Sequence, residues 1–265
     1  MEPTYILNHI NKLCNQLIFE GYSICNDPSK DRVAVIVEPR RHPMLANIIR
    51  STMYYVGDKW NLHVFTPLEN ISWLYTELGK SKFRVTPLNK NNMTSSEYSA
   101  LLMSKEFWNM IPEENILIFQ TDSVLFKKGI DMWIDHPSYG FDYVGANYYN
   151  KDHLAPNIGG IQGGLSLRKK SAMLTCIENI DKNEINKYRF DHGYKSFDLY
   201  NKITIPEDVY FTHACEILNM NIPTIEKRRE FSIEADYHPN AIGHHGLKCP
   251  YLTAEQQKEL LISNS

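Results

Sequence analysis

An aspartate interrupts the apolar segment NILIFQTDSVLF, which runs from Asn115 to Phe126. The apolar residues before Gln120 are typical of a buried strand, and Asp122 follows at its carboxyl end. An unpaired carboxylate in a protein core costs several kcal/mol even after relaxation. Asp122 is therefore expected to face solvent or to have a partner. It is either a residue that binds a ligand or an aspartate that serves a turn or a helix cap.

A pair of acids stands near the start of the segment TIPEDVYFTHACEIL, Thr204 to Leu218. Thr204 and Glu207 have the spacing of a capping box, in which Glu207 would bond back to the cap. Replacing Glu207 with Gln should then cost at most about 1 kcal/mol, because Gln can still cap. Asp208 would be free to act as a base, and the helix dipole should keep it ionised at neutral pH.

Glycines and histidines mark two further segments. GGIQGGLSLRKK, Gly159 to Lys170, places two glycine pairs ahead of a predicted strand. Glycines in such a loop either serve turns or let the backbone approach a bound molecule closely. The segment GHHG, Gly243 to Gly246, places two histidines in a predicted loop. They are either exposed loop residues or, together with a carboxylate, part of the shell of a divalent ion.

The first half of the chain predicts the elements that hold these residues. Predicted strands run from Val33 to Val37, Leu62 to Thr66, Phe83 to Thr86, and through the apolar run before Gln120. Between them, helices are predicted at Met44 to Val56, at Ile71 to Leu78, and after a cap at Ser95 or Ser96 with an apolar face that reaches Trp108. This alternation predicts a mostly parallel sheet with helices on both faces. Ligands bind at the carboxyl ends of the strands in such sheets, where Glu38, Pro39, Arg40 and Asp122 lie.

The rest of the chain predicts less regular structure. A helix from Thr4 to Glu20 should pack on the main body or form a dimer contact. Short strands are predicted at Tyr143 to Ala146 and Leu165 to Leu167, and helices near Lys169 to Ile180 and Pro206 to Leu218. The polar stretch from Asp181 to Lys202 is predicted as loop or short helix.

Composition limits the classes of partner. A chain of 265 residues with 43% hydrophobic residues is expected to form one domain or two closely packed halves. A net charge of −3 gives no broad positive field for a nucleic acid. The five cysteines, an odd number without a C-x-x-C pair, predict free thiols in a reducing compartment. The start has no basic region and no apolar stretch near the ~18 residues of a membrane span, so we expect no secretion signal, no membrane span and a cytoplasmic location.

In combination and in this order, QTDS, GGLSLRKK, PEDVYF and HHG resemble glycosyltransferases of the GT-A fold. They are most similar to an uncharacterised family of predicted GT-A glycosyltransferases from bacteria and large DNA viruses, which would mean the host cytoplasm if the chain is viral. The resemblance covers about Val33 to Lys248. It implies an α/β fold in a single GT-A-like domain, with a mostly parallel Rossmann-like central sheet flanked by helices and a smaller acceptor-side sheet.

The resemblance also implies an activity and a division of the chain. The activity is transfer of a sugar from a nucleotide-diphosphate sugar, expected to be a UDP-sugar, to a hydroxyl of a glycan, a glycoprotein or another acceptor. An N-terminal helix and linker (1–30) would precede the catalytic domain (31–250), and a tail (251–265) would follow. The catalytic domain would consist of a nucleotide-binding half, 31–126, and an acceptor half, 127–250.

Individual roles carry over by motif. Asp122 matches the last acid of the D-x-D motif, which binds a divalent metal, Mn2+ or Mg2+, and His245 matches the C-terminal metal ligand. Asp208 matches the general base of inverting members, with Glu207 beside it as a second catalytic candidate. Contacts with the nucleotide sugar are implied for Glu38, Pro39, Arg40, Arg41, Gln120, Thr121, Asp122, Gly163 and Gly164.

The sequence departs from the D-x-D pattern and leaves alternatives open. Gln120 replaces the first acid, so phosphate oxygens and waters must complete the metal shell. A metal-free variant could neutralise the diphosphate with Arg40 or Lys170, and a retaining mechanism could use Asp191 or Glu207. The chain could also be a glycoside hydrolase with paired carboxylates, or a non-catalytic module that binds nucleotide sugars. A homodimer remains open.

Overall fold

A computed structural model describes residues 5–148, 160–194, 205–234, 236–246 and 252–262. The strands are β1 (Arg32–Val37), β2 (Trp60–Pro67), β3 (Arg84–Leu88), β4 (Asn115–Phe119), β5 (Ser123–Leu125), β6 (Tyr143–Tyr148), β7 (Gly160–Lys169), β8 (Ser232–Ile233) and β9 (Gly243–His245). The helices are α1 (Tyr5–Phe19), α2 (Leu45–Val56), α3 (Leu68–Leu78), α4 (Ser95–Leu102), α5 (Lys105–Asn109), α6 (Met132–Asp135), α7 (Lys170–Asn179), α8 (Lys182–Asp191), α9 (Glu207–Ile217), α10 (Ile225–Phe231) and α11 (Ala254–Ile262).

The described strands form two sheets. The central sheet has the order β3-β2-β1-β4-β7-β6, in which the first four strands are parallel and β7 runs antiparallel to both of its neighbours. The small sheet has the order β5-β9-β8. The structure confirms the expected mixed α/β domain with a mostly parallel central sheet flanked by helices and a smaller second sheet.

The continuous apolar runs become central strands because both faces of the sheet are covered. Every residue of β1 and β2 is buried. Along β1, Ala34 and Ile36 enter a core that includes α1, α2 and α3, whereas Val33, Val35 and Val37 enter a second core that includes α4, α5, α7 and α9. The first core also contains the α1 residues Ile6 and Ile10, so this helix packs on the main body as one of the two interpretations predicted.

Side-chain caps explain where the helix prediction near Ser95 was wrong. The cap is Thr94, which forms a capping box with Glu97. The predicted single helix is two helices, because the Ser104 side chain accepts a hydrogen bond from the backbone of Phe107 and starts α5, which carries Trp108. Short polar side chains that bond to nearby backbone favour such starts.

Two predicted loops are strands. Gly163 and Gly164 lie within β7, so the expected glycine loop was wrong. The strand predicted from Leu165 to Leu167 is confirmed as part of β7, which is longer than predicted. His244 and His245 lie in β9, where antiparallel pairing sets Ser123 of β5 opposite His245. Of the two interpretations of these histidines, the one as exposed loop residues was therefore wrong.

The polar stretch predicted as loop or short helix contains a helix. α8 follows Asp181, whose side chain caps it, while residues 195–202 of that stretch lie outside the described residues. The sequence did not predict α6, α10 or α11. α11 lies in the segment expected to be a tail and packs against α1.

The cysteines within the described ranges have free thiols. No helix in these ranges is long and apolar enough to cross a membrane. The division of the chain at residues 30, 126 and 250 stays a prediction.

Candidate active site

A cleft of about 630 Å³ opens at the carboxyl ends of β1 and β4. Its walls come from these strand ends, from the start of α4, from β7, from the start of α9 and from β9. Most of the predicted site residues line it: Glu38, Pro39, Arg40, Gln120, Thr121, Asp122, Gly164, Glu207, Asp208 and His245. Other residues that line it were not predicted as site residues, and they include His42, Met93, Thr94, Ser95, Tyr98, Ser99 and Gln162.

Arg41 and Gly163 are the predicted residues that fall outside this lining. The Arg41 guanidinium lies 4.9 Å from the centre of the Trp73 ring. Gly163 faces the side chains of Glu207 and Arg168. Lys170 is also outside, because its Nζ donates to the carbonyls of Ile111 and Pro112, so the alternative in which Lys170 neutralises a diphosphate loses its support.

Glu38 organises one side of the cleft. Its Oε1 accepts from the backbone N and the Nε of Arg40 at 2.9 and 2.8 Å. Its Oε2 accepts from Arg40 Nη2 at 2.9 Å and from Thr121 Oγ1 at 3.2 Å. Glu38 is only 3% exposed, whereas the Arg40 side chain is 56% exposed. Glu38 therefore holds Arg40 and Thr121 in place, and Arg40 is the group that can reach a ligand.

Asp122 both faces solvent and has a partner, the two situations that the sequence left open. Its side chain is 51% exposed, and its Oδ1 lies 3.4 Å from His245 Nε2. The strand pairing brings them together, because Ser123 is opposite His245 and the backbone N of Gly246 donates to the carbonyl of Asp122. Gln120 joins the same group, with its Oε1 3.2 Å from His245 Nε2.

The charges of Asp122 and His245 stabilise each other. Burial raises the pKa of Asp122, but the hydrogen bond and charge of His245 outweigh it, and the net pKa is lowered. Burial lowers the pKa of His245, but Asp122 and Glu234 outweigh it and raise the pKa to about 9. Glu234 lies on the other side of the ring, 3.8 Å from Nδ1. Sequence reasoning missed Glu234, because the pairing of β8 with β9 is what brings it beside His245.

These residues fit a hard divalent cation. Within the described ranges, no group of three or more His, Cys, Asp or Glu side chains could hold a metal by itself. Neighbouring ligands of an octahedral ion with bonds of about 2.1 Å are about 3.0 Å apart. Asp122 Oδ1 and His245 Nε2, 3.4 Å apart, are close to that spacing and face the cleft. A bound cation would displace the proton that His245 carries at neutral pH, because only a neutral imidazole ligates a metal. One carboxylate and one imidazole then leave most positions to phosphate oxygens and water, as is usual for Mg2+.

Glu207 has a different role from the predicted cap. α9 begins at Glu207 with Pro206 as its cap residue, and Thr204 lies outside the described residues. The carboxylate accepts from Nη1 and Nη2 of Arg168 at 2.7 and 3.1 Å. Arg168 is 0% exposed, and its guanidinium lies 4.7 Å from the centre of the Tyr143 ring. The capping-box interpretation was therefore wrong, because a buried arginine takes this carboxylate.

Asp208 lines the cleft beside this ion pair, with Oδ1 accepting from the backbone N of Val209 at 2.8 Å. Burial, and then the charge of Glu207, raises the pKa of Asp208 to about 7, although nearby backbone N–H groups and Arg168 lower it. The expectation that the helix start keeps it fully ionised at neutral pH was wrong, since these two effects are larger. A carboxyl group with a pKa near the working pH suits a general base.

The two glycines of β7 make room for these side chains. A Cβ at Gly163 would lie 2.3 Å from Glu207 Oε1, and one at Gly164 would lie 2.2 Å from His245 Nε2. Both distances are far below van der Waals contact. Glycine at these positions therefore lets the acid pair and the His245 ring pack directly on the strand.

Solved structures of two transferases match this chain to different degrees. The crystal structure of mouse xyloside xylosyltransferase 1 in its apo form superposes with a TM-score of 0.58 at 11% identity, over 85% of this chain and 100% of that chain. The mannosyltransferase PcManGT from Pyrobaculum calidifontis, in complex with GDP-Man and Mn2+, gives a TM-score of 0.43 at 13% identity, over 82% of this chain and 61% of that chain.

Sequence comparison assigns the family. No curated protein is significantly similar in sequence to this chain. Residues 82–245 match the family described as Protein of unknown function (DUF5672), and the match extends from just before β3 to the metal-ligand candidate His245. Because the match covers more than half of the chain, the protein belongs to the DUF5672 family.

Proposed function

We propose that this protein is a glycosyltransferase of the GT-A type, which moves a sugar from a nucleotide-diphosphate sugar to a hydroxyl acceptor. The observation that carries the proposal is the pairing of two different groups in one cleft. Asp208, whose pKa is about 7, can take a proton, and the neighbouring group of Asp122 and His245 can hold a cation. Sugar transfer needs both proton removal from the acceptor and charge stabilisation on the departing diphosphate.

The charges in the cleft favour a metal-dependent enzyme. The carboxylates of Glu38, Asp122, Glu207 and Asp208 line the cleft. The cations beside them are already paired, Arg40 with Glu38, Arg168 with Glu207 and His245 with Asp122. A diphosphate in these surroundings needs a further positive charge. Asp122 and His245 would hold Mn2+ or Mg2+, and the bound ion would supply Lewis-acid stabilisation of the leaving diphosphate. The exposed guanidinium of Arg40 would contact the diphosphate from the β1 side.

Asp208 would act on the acceptor hydroxyl. A base that deprotonates the acceptor hydroxyl lets it attack the donor directly, which predicts inversion at the anomeric carbon. The family resemblance favours a UDP-sugar as the donor. In this proposal residues 31–126 contribute the nucleotide side of the cleft and residues 127–250 the acceptor side. The likeness to the fold of a xylosyltransferase is in keeping with this activity. Glu207, a carboxylate that a glycoside hydrolase could use, is held by Arg168 and gives that alternative no support.

A thermal-shift screen tests the proposal. The folded protein would be melted with a panel of nucleoside diphosphates and nucleotide sugars, each with and without Mn2+. A ligand that binds only the folded state at a hundredfold excess over its Kd stabilises by about 2.7 kcal/mol. We expect stabilisation by one nucleotide class in the presence of Mn2+, and its loss in Asp122→Ala. A protein that no nucleotide stabilises would contradict the proposal. If a nucleotide sugar stabilises the protein and a separate assay shows no turnover of any donor, the non-catalytic module would be favoured.

A further inference from the structure

Gln120 lies in the cleft beside His245, one of the two candidate metal ligands. It stands where the D-x-D pattern has its first acid, and its Oε1 lies 3.2 Å from His245 Nε2, the same nitrogen that faces Asp122 Oδ1 at 3.4 Å. Neighbouring ligands of an octahedral ion are about 3.0 Å apart when the bonds are about 2.1 Å. Both of these distances are close to that value, so Gln120 Oε1 and Asp122 Oδ1 each lie at the spacing from His245 Nε2 that two ligands of one ion have.

The backbone holds Gln120 in this position. Its N donates to Ser123 Oγ at 3.1 Å, and its carbonyl accepts from the backbone N of Ser123 at 3.0 Å. Ser123 Oγ in turn donates to the carbonyl of Gly164 at 2.6 Å, which ties the turn to β7. A Cβ at Gly164 would lie 2.9 Å from Gln120 Oε1, so the glycine leaves room for the amide. A site on strands and a bonded turn is preorganised.

We propose that Gln120 Oε1 is a third protein ligand of the divalent cation, and that its lack of charge makes cation binding depend on the nucleotide. This inference rests on the proposed function. Amide oxygens are ordinary ligands of hard cations, and affinity rises with the number of charged ligands. Asp122 is the one anionic member of the trio, so the phosphates of the donor bring the remaining negative charge. The cation therefore enters with the nucleotide and leaves with it.

Two substitutions at Gln120 and one matched control test the inference, with Mn2+ binding measured by titration calorimetry with and without a nucleoside diphosphate. Gln120→Glu has the same shape and adds a charge, so it should bind Mn2+ alone at least about tenfold more tightly than wild type. Gln120→Leu removes the oxygen and should weaken Mn2+ binding in the presence of nucleotide at least about tenfold. The control is Gln162→Glu, which adds the same charge elsewhere in the cleft, where Oε1 is engaged with the backbone N of Gly164.

The outcomes separate this inference from the proposed function. Wild type that binds Mn2+ only together with nucleotide, with the expected shifts in both Gln120 variants and none in Gln162→Glu, supports the inference. Gln120→Leu with wild-type affinity, or Gln162→Glu with as much gain as Gln120→Glu, overturns the inference and leaves the proposed function standing. Wild type that binds no nucleotide in either condition overturns both. If Gln120→Leu does not fold, the comparison of Gln120→Glu with Gln162→Glu still tests the inference.

Discussion

Replacing Asp208 with Asn tests both the electrostatics of the cleft and the assigned base. Burial and the charge of Glu207 raise the pKa of Asp208 from its usual 3.8 to about 7 in the folded protein. The folded state therefore holds this proton more tightly than the unfolded chain does. The resulting stabilisation is complete below about pH 3.8 and is lost as the pH rises through about 7. A rise of this size corresponds to at most about 4 kcal/mol, and less where solvent screens the charge.

Asn removes the charge and keeps the shape. Its Oδ1 can still accept from the backbone N of Val209, as Asp208 does at 2.8 Å. Urea unfolding at a series of pH values should show the variant gaining stability relative to wild type between pH 4 and pH 8. Binding of the donor with Mn2+ should be retained. The transfer rate should fall by roughly two to four orders of magnitude, because Asn cannot take the proton from the hydroxyl of the sugar acceptor.

Asp191→Asn is the matched control for this experiment. Asp191 ends α8, is exposed and does not line the cleft, so its substitution should change neither the pH dependence of stability nor the rate. Two results would refute the reasoning about Asp208. One is transfer by Asp208→Asn at close to the wild-type rate, and the other is a stability difference from wild type that stays constant from pH 4 to pH 8.

Three other expectations follow from the same contacts. Glu207→Gln leaves the buried charge of Arg168 without its anion and should lower the free energy of unfolding by about 3–5 kcal/mol in urea titrations; a loss below about 1 kcal/mol would restore the capping-box interpretation. Gly164→Ala would place a Cβ 2.2 Å from His245 Nε2 and should abolish Mn2+-dependent stabilisation by nucleotide, so an unchanged thermal shift would count against the site. In wild type, kcat/KM should rise about tenfold per pH unit up to about pH 7 and then level off, because Asp208 must be ionised to act; a flat profile below pH 7 would argue for another base.

The strands and the place of the cleft could be predicted from the sequence. β1 and β4 are covered on both faces, so they contain nearly continuous apolar runs that are visible without a structure. β2 is buried as well, although Asn61 and His63 interrupt its apolar residues. Parallel strands bring their carboxyl ends to one edge, which located Glu38, Arg40 and Asp122 together. Predicting the strands and the place of the cleft required only local sequence patterns and the rule that ligands bind at the carboxyl ends of parallel strands.

The contacts within the cleft could not be predicted in this way. Glycine is unfavourable inside strands, so Gly163 and Gly164 indicated a loop, and only the packing of Glu207 and His245 against β7 explains them. Arg168 meets Glu207 39 positions along the chain, and nothing local in the sequence says which acid it pairs with. That pairing removed the predicted cap and placed a negative charge beside Asp208. The raised pKa of Asp208 depends on this charge and on burial, and both arise from tertiary packing.

The most direct test of the central claim is a turnover measurement. The protein would be incubated with Mn2+, the nucleotide sugar that stabilises it best and a panel of hydroxyl acceptors, while NMR follows both release of the nucleoside diphosphate and the anomeric configuration of the product. We expect the nucleoside diphosphate to be released and the sugar to appear on the acceptor with inverted configuration, and we expect both signals to be lost in Asp208→Asn. A donor that binds but is never consumed would contradict the assignment as a glycosyltransferase. A product that keeps the configuration of the donor would contradict the role of Asp208 as the base of an inverting reaction.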